Sequence, residues 1–285
     1  MSGFDAAAEL LPGGIKTAAF AMPEGVRAVC EEFRLRLGRR PSVTTSDGER
    51  PLYDLPPVVR ADLDRVLELA TRASPYAAAE SMEKGFVTAR GGVRLGLCGR
   101  KKPGSGWAMG SLTSVCIRIP REVRGCAGPF ASMPFPSTLI LSPPGGGKTT
   151  LLRDMVRLLS DKGLHISLCD ERGEIAAGWE GGFGFDVGKR TDVLSDAPRR
   201  EAAVQLLRTM SPQVLAMDEI TAACDADACR MAAGCGVKLL ATAHADTAGS
   251  VLPATVTPLL AERIFTRLIR IRRNKDKREY AEQWL

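Results

Sequence analysis

The first part of the chain mixes helical and strand-like hydrophobic patterns. Residues 58–73 carry apolar side chains at helical spacing and predict an amphipathic helix, and residues 76–84 predict a second, shorter one. Apolar residues on both sides of Gly91-Gly92, within residues 86–97, predict a β-hairpin, and residues 114–119 predict a further strand. This mixture predicts a small α+β domain.

In the second part, short apolar runs alternate with helical segments. Such alternation predicts an α/β domain whose sheet is mainly parallel. The predicted strands are residues 139–141, 166–169, 214–217, 237–241 and 268–271, and the predicted helices include residues 199–210 and 225–234.

A segment rich in Gly, Pro and Ser, residues 124–137, separates the two patterns. We therefore expect an N-terminal α+β domain over residues 1–128, a linker over 129–137 and an α/β domain over 138–285.

Composition places the chain among ordinary folded proteins. Its 285 residues are 45% hydrophobic and 25% charged. These fractions are close to the average of soluble globular proteins and argue against a disordered chain. The net charge of +6 fits a nucleic acid, an anionic membrane surface or a phosphate ligand. The basic run near the end, residues 267–278, is interpreted as a solvated tail. Aromatic residues make up only 5%, so the signal for a base-stacking nucleic-acid surface is weak.

Cysteine spacing and hydropathy bear on metals and membranes. The eight cysteines form no Cys-x-x-Cys pair, which argues against a structural zinc site. The first residues do not resemble a signal peptide, and no stretch approaches the roughly 18 apolar residues of a spanning helix. The sequence predicts a cytoplasmic protein that is able to dock on a membrane protein.

The strongest chemical signal lies between the strand at 139–141 and a Leu-rich helix. It reads Ser142, Pro143, Pro144, Gly145, Gly146, Gly147, Lys148, Thr149, Thr150. The phosphate-binding P-loop requires Gly, any four residues, Gly, Lys and then Ser or Thr; only Ser142 departs from this pattern. Glycines let backbone N–H groups surround phosphates, and Lys148 supplies a positive charge. The alternative is an ordinary strand-to-helix turn.

Paired acids follow the apolar strand 214–217. Ligands of parallel sheets collect at the carboxyl ends of the strands, where Asp218 and Glu219 would lie. We expect Thr149 and Asp218 to hold Mg²⁺, Asp218 through water, and Glu219 to orient or deprotonate an attacking water molecule. The alternative is a helix start with both acids solvated.

Other strand ends carry further candidates. Glu171 follows the strand at 166–169 and is a second candidate for polarising water, or else a structural partner of Arg172. Thr242 and His244 follow the strand at 237–241 and are candidates for sensing the γ-phosphate. An arginine that offsets charge in phosphoryl transfer is also expected. Its candidates are Arg34, Arg36, Arg172, Arg190 and Arg208.

An ordered set of fragments extends over most of the chain and resembles the stage III sporulation protein AA family, AAA+/RecA-like ATPases related to type II and type IV secretion ATPases. The fragments are FRLRLGRRP (33–41), GGVRLGLCGR (91–100), SPPGGGKTTLLRD (142–154), CDERGEIA (169–176), DVGKRTDVL (186–194), RTMSPQVLAMDEI (208–220) and TAH (242–244).

The resemblance implies an ATP- and Mg²⁺-dependent motor that works as a homo-hexamer. Its implied partners are membrane-embedded subunits of a secretion-like channel on the mother-cell side of a sporulating bacterium. It also implies an acidic box at Asp170-Glu171, so the base is either Glu171 or Glu219. The chain departs from the family pattern at Ser142 and lacks glycines expected after Ile220 and after Ala202. A nucleic-acid-dependent ATPase and a slowly hydrolysing scaffold remain alternative functions.

Overall fold

A computed structural model describes residues 2–71, 82–83, 85–100, 112–179, 182–245, 252–274 and 277–285. These residues form two compact units, Met1–Glu122 with Ala177–Gly184, and Val123–Ala176 with Phe185–Leu285. The segment predicted as a linker, 129–137, belongs to the second unit. The predicted domain division itself remains a prediction.

The first unit contains an antiparallel sheet. Its described strands are β1 (Glu32–Arg36), β2 (Ser42–Thr45), β3 (Gly48–Pro51), β4 (Phe86–Ala89), β5 (Val93–Gly99) and β6 (Leu112–Arg118), in the order β3-β2-β1-β6-β5-β4. The described helices are α1 (Gly3–Ala8), α2 (Gly13–Phe20), α3 (Glu24–Val29) and α4 (Arg60–Ala70), with a 3₁₀ turn at Arg90–Gly92.

Two elements predicted for this unit, a hairpin and a helix, are present in the structure. The hairpin around Gly91-Gly92 is formed by β4 and β5, and α4 lies within the predicted helix 58–73. The predicted helix at 76–84 lies outside the described residues except for 82, 83. The hairpin β2–β3 and the three helices before β1 were not predicted, because those segments are short and show little periodicity.

A small hairpin from later in the chain also belongs to the first unit. Its strands are β9 (Gly178–Trp179) and β10 (Gly182–Phe183), paired antiparallel. The backbone of Gly184 approaches that of Gly91 so closely that a Cβ atom on Gly184 would lie 2.5 Å from the Gly91 carbonyl carbon. A side chain at Gly184 would therefore push this hairpin away from the turn.

The second unit contains a mixed sheet flanked by helices. Its strands are β7 (Thr138–Ser142), β8 (Ile166–Asp170), β11 (Thr191–Ser195), β12 (Val214–Met217), β13 (Lys238–His244), β14 (Arg267–Asn274) and β15 (Lys277–Trp284). Their order is β11-β8-β12-β13-β7-β14-β15, and within the described strands only β15 runs antiparallel to its neighbour. The described helices are α5 (Lys148–Asp161), α6 (Arg199–Thr209), α7 (Ala223–Gly234) and α8 (Thr257–Ala261), with a 3₁₀ turn at Gly128–Phe130.

The central strands are buried along most of their length because both faces of the sheet are covered. Leu139 and Leu141 of β7 belong to the core that contains Leu206 of α6, whereas Ile140 belongs to the core that contains Met155 of α5. Each fully buried side chain of this size contributes roughly 1.5–3 kcal/mol. These two cores hold the sheet between its flanking helices. The carboxyl ends of its parallel strands therefore lie together at one edge.

The C-terminal basic run is not a solvated tail, as the sequence suggested, but part of the sheet. Arg267 opens β14 and is only 1% exposed. Its Nε atom donates to Thr138 Oγ1 at 3.0 Å, and its guanidinium lies 3.4 Å from a Glu282 carboxylate oxygen of β15. Apolar residues of the same strand, such as Leu268 and Ile269, pack into the two cores. In the part of the chain that the structure describes, no helix has the length and apolar character needed to cross a bilayer.

Candidate functional site

The parallel strands of the second unit bring their polar ends to one edge of the sheet. β7 ends at Ser142, β8 at Asp170 and β13 at His244, and Asp218 follows β12 directly. Because β8, β12, β13 and β7 are consecutive neighbours in the sheet, these groups lie side by side. The candidate site is built at this edge.

The loop between β7 and α5 needs its glycines for two physical reasons. Gly145 and Gly147 have positive φ angles of 71° and 102°, which residues with a Cβ atom rarely adopt. At Gly146 the restriction is steric, because a Cβ atom there would lie 1.8 Å from Ser142 Oγ. The loop is therefore compact, with the backbone of its last glycine leading directly into the first turn of α5.

Ser142 occupies the one position that departs from the P-loop pattern. It ends strand β7 in extended conformation and is buried. Its hydroxyl donates to the Pro143 carbonyl oxygen at 2.9 Å. A serine fits because this position lies in a strand and does not require a positive φ angle.

Lys148 is a buried cation at the N-terminus of α5. Its Nζ atom lies 3.5 Å from the Ser142 carbonyl oxygen and 3.1 Å from His244 Nδ1. Burial lowers the pKa of Lys148, and the carboxylates of Asp218 and Glu219 oppose that shift. The ammonium group and these two acids are thus close enough to influence one another.

Asp218 is held by two hydroxyl groups. Thr149 Oγ1 donates to Asp218 Oδ2 at 2.6 Å, and Thr242 Oγ1 donates to the other carboxylate oxygen. Thr242 Oγ1 in turn accepts the backbone N–H of Glu219 at 2.8 Å. The threonine of β13 therefore fixes both the side chain of one acid and the backbone of the next.

Glu219 lies between a histidine and an arginine. Its Oε1 atom is 2.8 Å from His244 Nε2, and its Oε2 atom is 3.1 Å from Arg172 Nη1. Because an ammonium group only donates, His244 Nδ1 accepts from Lys148, and Nε2 carries the proton that it donates to Glu219. Glu219 also has a positive φ angle of 61°, which is uncommon for a residue with a side chain and is found at strained functional turns.

The acids that follow β8 are held differently. Asp170 is buried and accepts the backbone N–H groups of residues 174–176, at 2.9 to 3.2 Å. Burial raises the pKa of Asp170, and these backbone hydrogen bonds oppose the rise. These hydrogen bonds hold the loop that follows β8 against the Asp170 side chain.

Glu171 pairs with Arg199 and not, as one interpretation of the sequence had it, with Arg172. The Arg199 Nη1 atom lies 2.7 Å from Glu171 Oε2, while Arg199 Nε donates to Asp225 Oδ1 at 3.2 Å. Asp225 also accepts the backbone N–H groups of Thr221 and Ala222, at 3.0 and 2.9 Å. Arg199 thus ties Glu171 to the start of α7, and both glutamates line one depression with Asp218.

Of the other candidate arginines, two lie in the second unit, away from this edge of its sheet. Arg208 is exposed in the last turn of α6, which leads back to the opposite ends of the strands. Arg190 donates to the Gly163 carbonyl oxygen, beyond the C-terminus of α5, at 3.0 Å. Arg34 and Arg36 belong to the first unit and pair with Glu32 and Glu49.

The donor set at Thr149 and Asp218 suits a magnesium ion. A hydroxyl oxygen and a carboxylate oxygen lie together beside the glycine-rich loop, and hard oxygen donors are what Mg²⁺ prefers. The residues present therefore fit the ion that the sequence predicts, and the roles of all these side chains remain predictions.

Sequence reasoning missed Arg199 as a member of the site. The residue follows Pro198 at the start of a helix, and nothing in its local pattern distinguishes it from the adjacent Arg200. Its partners come from different elements, since Glu171 follows β8 and Asp225 lies in α7, so only the packing of α6 against both elements brings the three together.

One protein family matches almost the whole chain. The model of the family described as "Sporulation stage III, protein AA" matches residues 22–281. Stage III sporulation protein AA of Bacillus subtilis (strain 168) is 35% identical over 280 residues, which cover 94% of this chain and 91% of that protein.

Solved structures give similarity of fold. The X-ray structure of the Legionella pneumophila ATPase DotB has a TM-score of 0.55 at 12% identity, over 89% of this chain and 75% of that chain. The pilus retraction motor PilT with bound ADP has a TM-score of 0.59 at 15% identity, over 90% of this chain and 79% of that chain. At such low identity the similarity establishes only that this chain shares its α/β fold with these two proteins.

Proposed function

The chain belongs to the stage III sporulation protein AA family, and we propose that it is a P-loop ATPase that binds ATP with Mg²⁺ and hydrolyses it. The observation that carries this proposal is the meeting of Lys148, His244 and Glu219 in one hydrogen-bonded chain beside a glycine-rich loop.

The residues of the loop have complementary roles in this proposal. Backbone N–H groups of residues 145–150, which follow the two prolines of the loop, and the positive end of the α5 dipole surround the phosphates. Lys148 contributes charge toward the terminal phosphates, for which its buried position limits competition from water. Thr149 and Asp218 hold Mg²⁺, which when bound neutralises charge on the phosphate oxygens.

Glu219 is the favoured group for orienting or deprotonating water. It lies two hydrogen bonds from Lys148, through His244. Both glutamates have an arginine partner, but the partner of Glu219, Arg172, is exposed and lies at 3.1 Å, whereas Arg199 is largely buried and holds Glu171 at 2.7 Å. His244 bridges the lysine and this acid, so a terminal phosphate that draws Lys148 toward itself alters the hydrogen bond to Glu219. This supports His244 as the residue that senses the γ-phosphate.

At the level of the assembly, we extend the proposal to a motor for a secretion-like complex. The family name refers to sporulation, and the solved structures with the same fold include an ATPase and a pilus retraction motor. The proposed particle is a homo-hexamer, cytoplasmic and attached through membrane-embedded channel subunits in the mother cell. Because Arg208 lies far from the site of its own chain, its proposed role is toward the nucleotide of a neighbouring subunit.

The test compares wild-type protein with Lys148→Ala in ATP binding and phosphate release. We expect the variant to lose tight nucleotide binding or turnover, because the buried charge beside the loop is gone. Lys238→Ala is the matched control, since Lys238 is exposed at the other end of β13. Hydrolysis at the wild-type rate in Lys148→Ala would contradict the site assignment.

A further inference from the structure

An arginine from the last strand lies against the phosphate-binding loop. A Cβ atom built on Gly147 would be 2.7 Å from Arg278 Nε and 2.9 Å from its Cζ atom. The guanidinium therefore occupies the space that the missing side chain of Gly147 leaves open. Arg278 is exposed, and within the described part of the chain no carboxylate pairs with it.

The hairpin that carries Arg278 is anchored on both of its strands. The Tyr280 ring, two residues further along β15, packs against Phe130 with ring centroids 5.4 Å apart. Near the other end of β15, Glu282 lies 3.4 Å from the buried guanidinium of Arg267 in β14. These contacts hold the strand in register, so the position of Arg278 over the loop follows from packing of the core.

The order of the strands indicates which part of a nucleotide Arg278 faces. The loop follows β7, which has β13 on one side and β14, then β15, on the other. Lys148, His244 and Glu219 lie on the β13 side, where the terminal phosphate belongs. A nucleotide whose terminal phosphate points that way extends its remaining phosphates back along the loop, toward Gly147 and the β15 side.

We propose that Arg278 is a nucleotide-binding residue that contacts the α- and β-phosphates, the part that ADP and ATP share. This inference rests on the proposed ATPase function and adds a contact from outside the P-loop motif. The chemistry is suitable because a guanidinium offers several N–H donors to phosphate oxygens and stays charged at any physiological pH. A contact to the shared phosphates strengthens binding of both nucleotides equally and does not distinguish them.

The experiment is calorimetric titration of the full chain with ADP and with a non-hydrolysable ATP analogue, both with Mg²⁺. For Arg278→Ala we expect both dissociation constants to rise by about 10-fold, the effect of losing one charge-assisted hydrogen bond, with their ratio unchanged. Arg278→Lys restores part of the loss, since it keeps the charge but not the planar set of donors.

Two controls make the result specific. Arg230→Ala removes one exposed arginine of the same unit, which pairs with Glu262, and leaves both affinities unchanged. Thermal unfolding of Arg278→Ala near the wild-type temperature excludes a general loss of fold.

Other results would overturn the inference. Unchanged affinities in Arg278→Ala, with binding lost in Lys148→Ala, reject the role of Arg278 and leave the ATPase proposal standing. A loss confined to the ATP analogue rejects the assignment to the shared phosphates. Wild-type protein that binds neither nucleotide overturns the proposed function and this inference together.

Discussion

His244 Nδ1 lies 3.1 Å from Lys148 Nζ, although the two residues are 96 positions apart in the chain. The other ring nitrogen lies 2.8 Å from Glu219 Oε1. A single imidazole thus joins the lysine that follows the glycine-rich loop to the acid beside the proposed metal site. The three candidate residues therefore form one hydrogen-bonded chain, and the contribution of each can be measured with its own variant.

The histidine link predicts a selective effect on turnover. We expect His244→Ala to lower the rate of ATP hydrolysis by about 10- to 100-fold, because Glu219 and Lys148 lose the group that positions them. The affinity for ADP changes little, since ADP lacks the γ-phosphate. Steady-state phosphate release and ADP titration measure the two effects. His165→Ala, at the exposed histidine before β8, is the control, and an equal loss in both variants would refute the proposed link.

The two glutamates are separated by matched amide substitutions. Glu219→Gln is expected to reduce turnover by roughly two to four orders of magnitude while ATP still binds, as loss of a general base does. Glu171→Gln is expected to have a smaller effect, because Glu171 is held by Arg199 at 2.7 Å. Single-turnover kinetics with pre-bound ATP measure the chemical step. A larger loss in Glu171→Gln would assign the base to the acidic box.

The steric relationship between Ser142 and Gly146 predicts a rescue. A Cβ atom on Gly146 would lie 1.8 Å from Ser142 Oγ and 3.1 Å from Ser142 Cβ. Gly146→Ala is therefore expected to distort the loop and weaken ADP binding. In the double variant with Ser142→Gly, both of those close atoms are gone, so part of the affinity returns.

The rescue has its own control. Ser142→Gly alone is expected to bind ADP about as well as the wild type, since it restores the glycine of the P-loop pattern. The affinities of all four proteins form a double-mutant cycle. Strictly additive effects would show that the Ser142 side chain does not cause the defect of Gly146→Ala.

In the first unit, an ion pair predicts a pH dependence of stability. Hydrogen bonds from Arg36 and Ser42 lower the pKa of Glu49 from its usual 4.5 to about 2. A carboxylate whose pKa is lower in the folded state stabilises that state above pH 4.5. The contribution is lost as the pH falls from 4.5 toward 2.

The measurement is urea unfolding of wild type and Glu49→Gln between pH 3 and pH 7. The unfolding midpoints are expected to differ clearly at neutral pH and to converge on acidification. Glu68→Gln is the control, because Glu68 pairs with Arg65 at the exposed surface of α4. A difference between wild type and Glu49→Gln that stays constant with pH would mean that the pair contributes nothing through ionisation.

Much of the fold follows from local pattern. The amphipathic spacing of α4, the hairpin around Gly91-Gly92 and the apolar runs of β7 and β12 are visible in sequence because each element buries its own apolar face. The local sequence predicts a solvated tail for residues 267–278, and this prediction is wrong. The charges of this segment dominate the local composition, and the burial of Arg267 depends on partners from Thr138 and Glu282 that no local window contains.

The chemical groups of the candidate site can be identified from the sequence. Lys148 and Thr149 are neighbours in the sequence, and so are Asp218 and Glu219, so two short motifs identify them. Their connections through His244 and Arg199, and the position of Arg278, become visible only in the folded protein. Those contacts depend on which strands become neighbours in the sheet. That order is set by burial of both sheet faces over the whole unit, a long-range effect that local spacing does not encode.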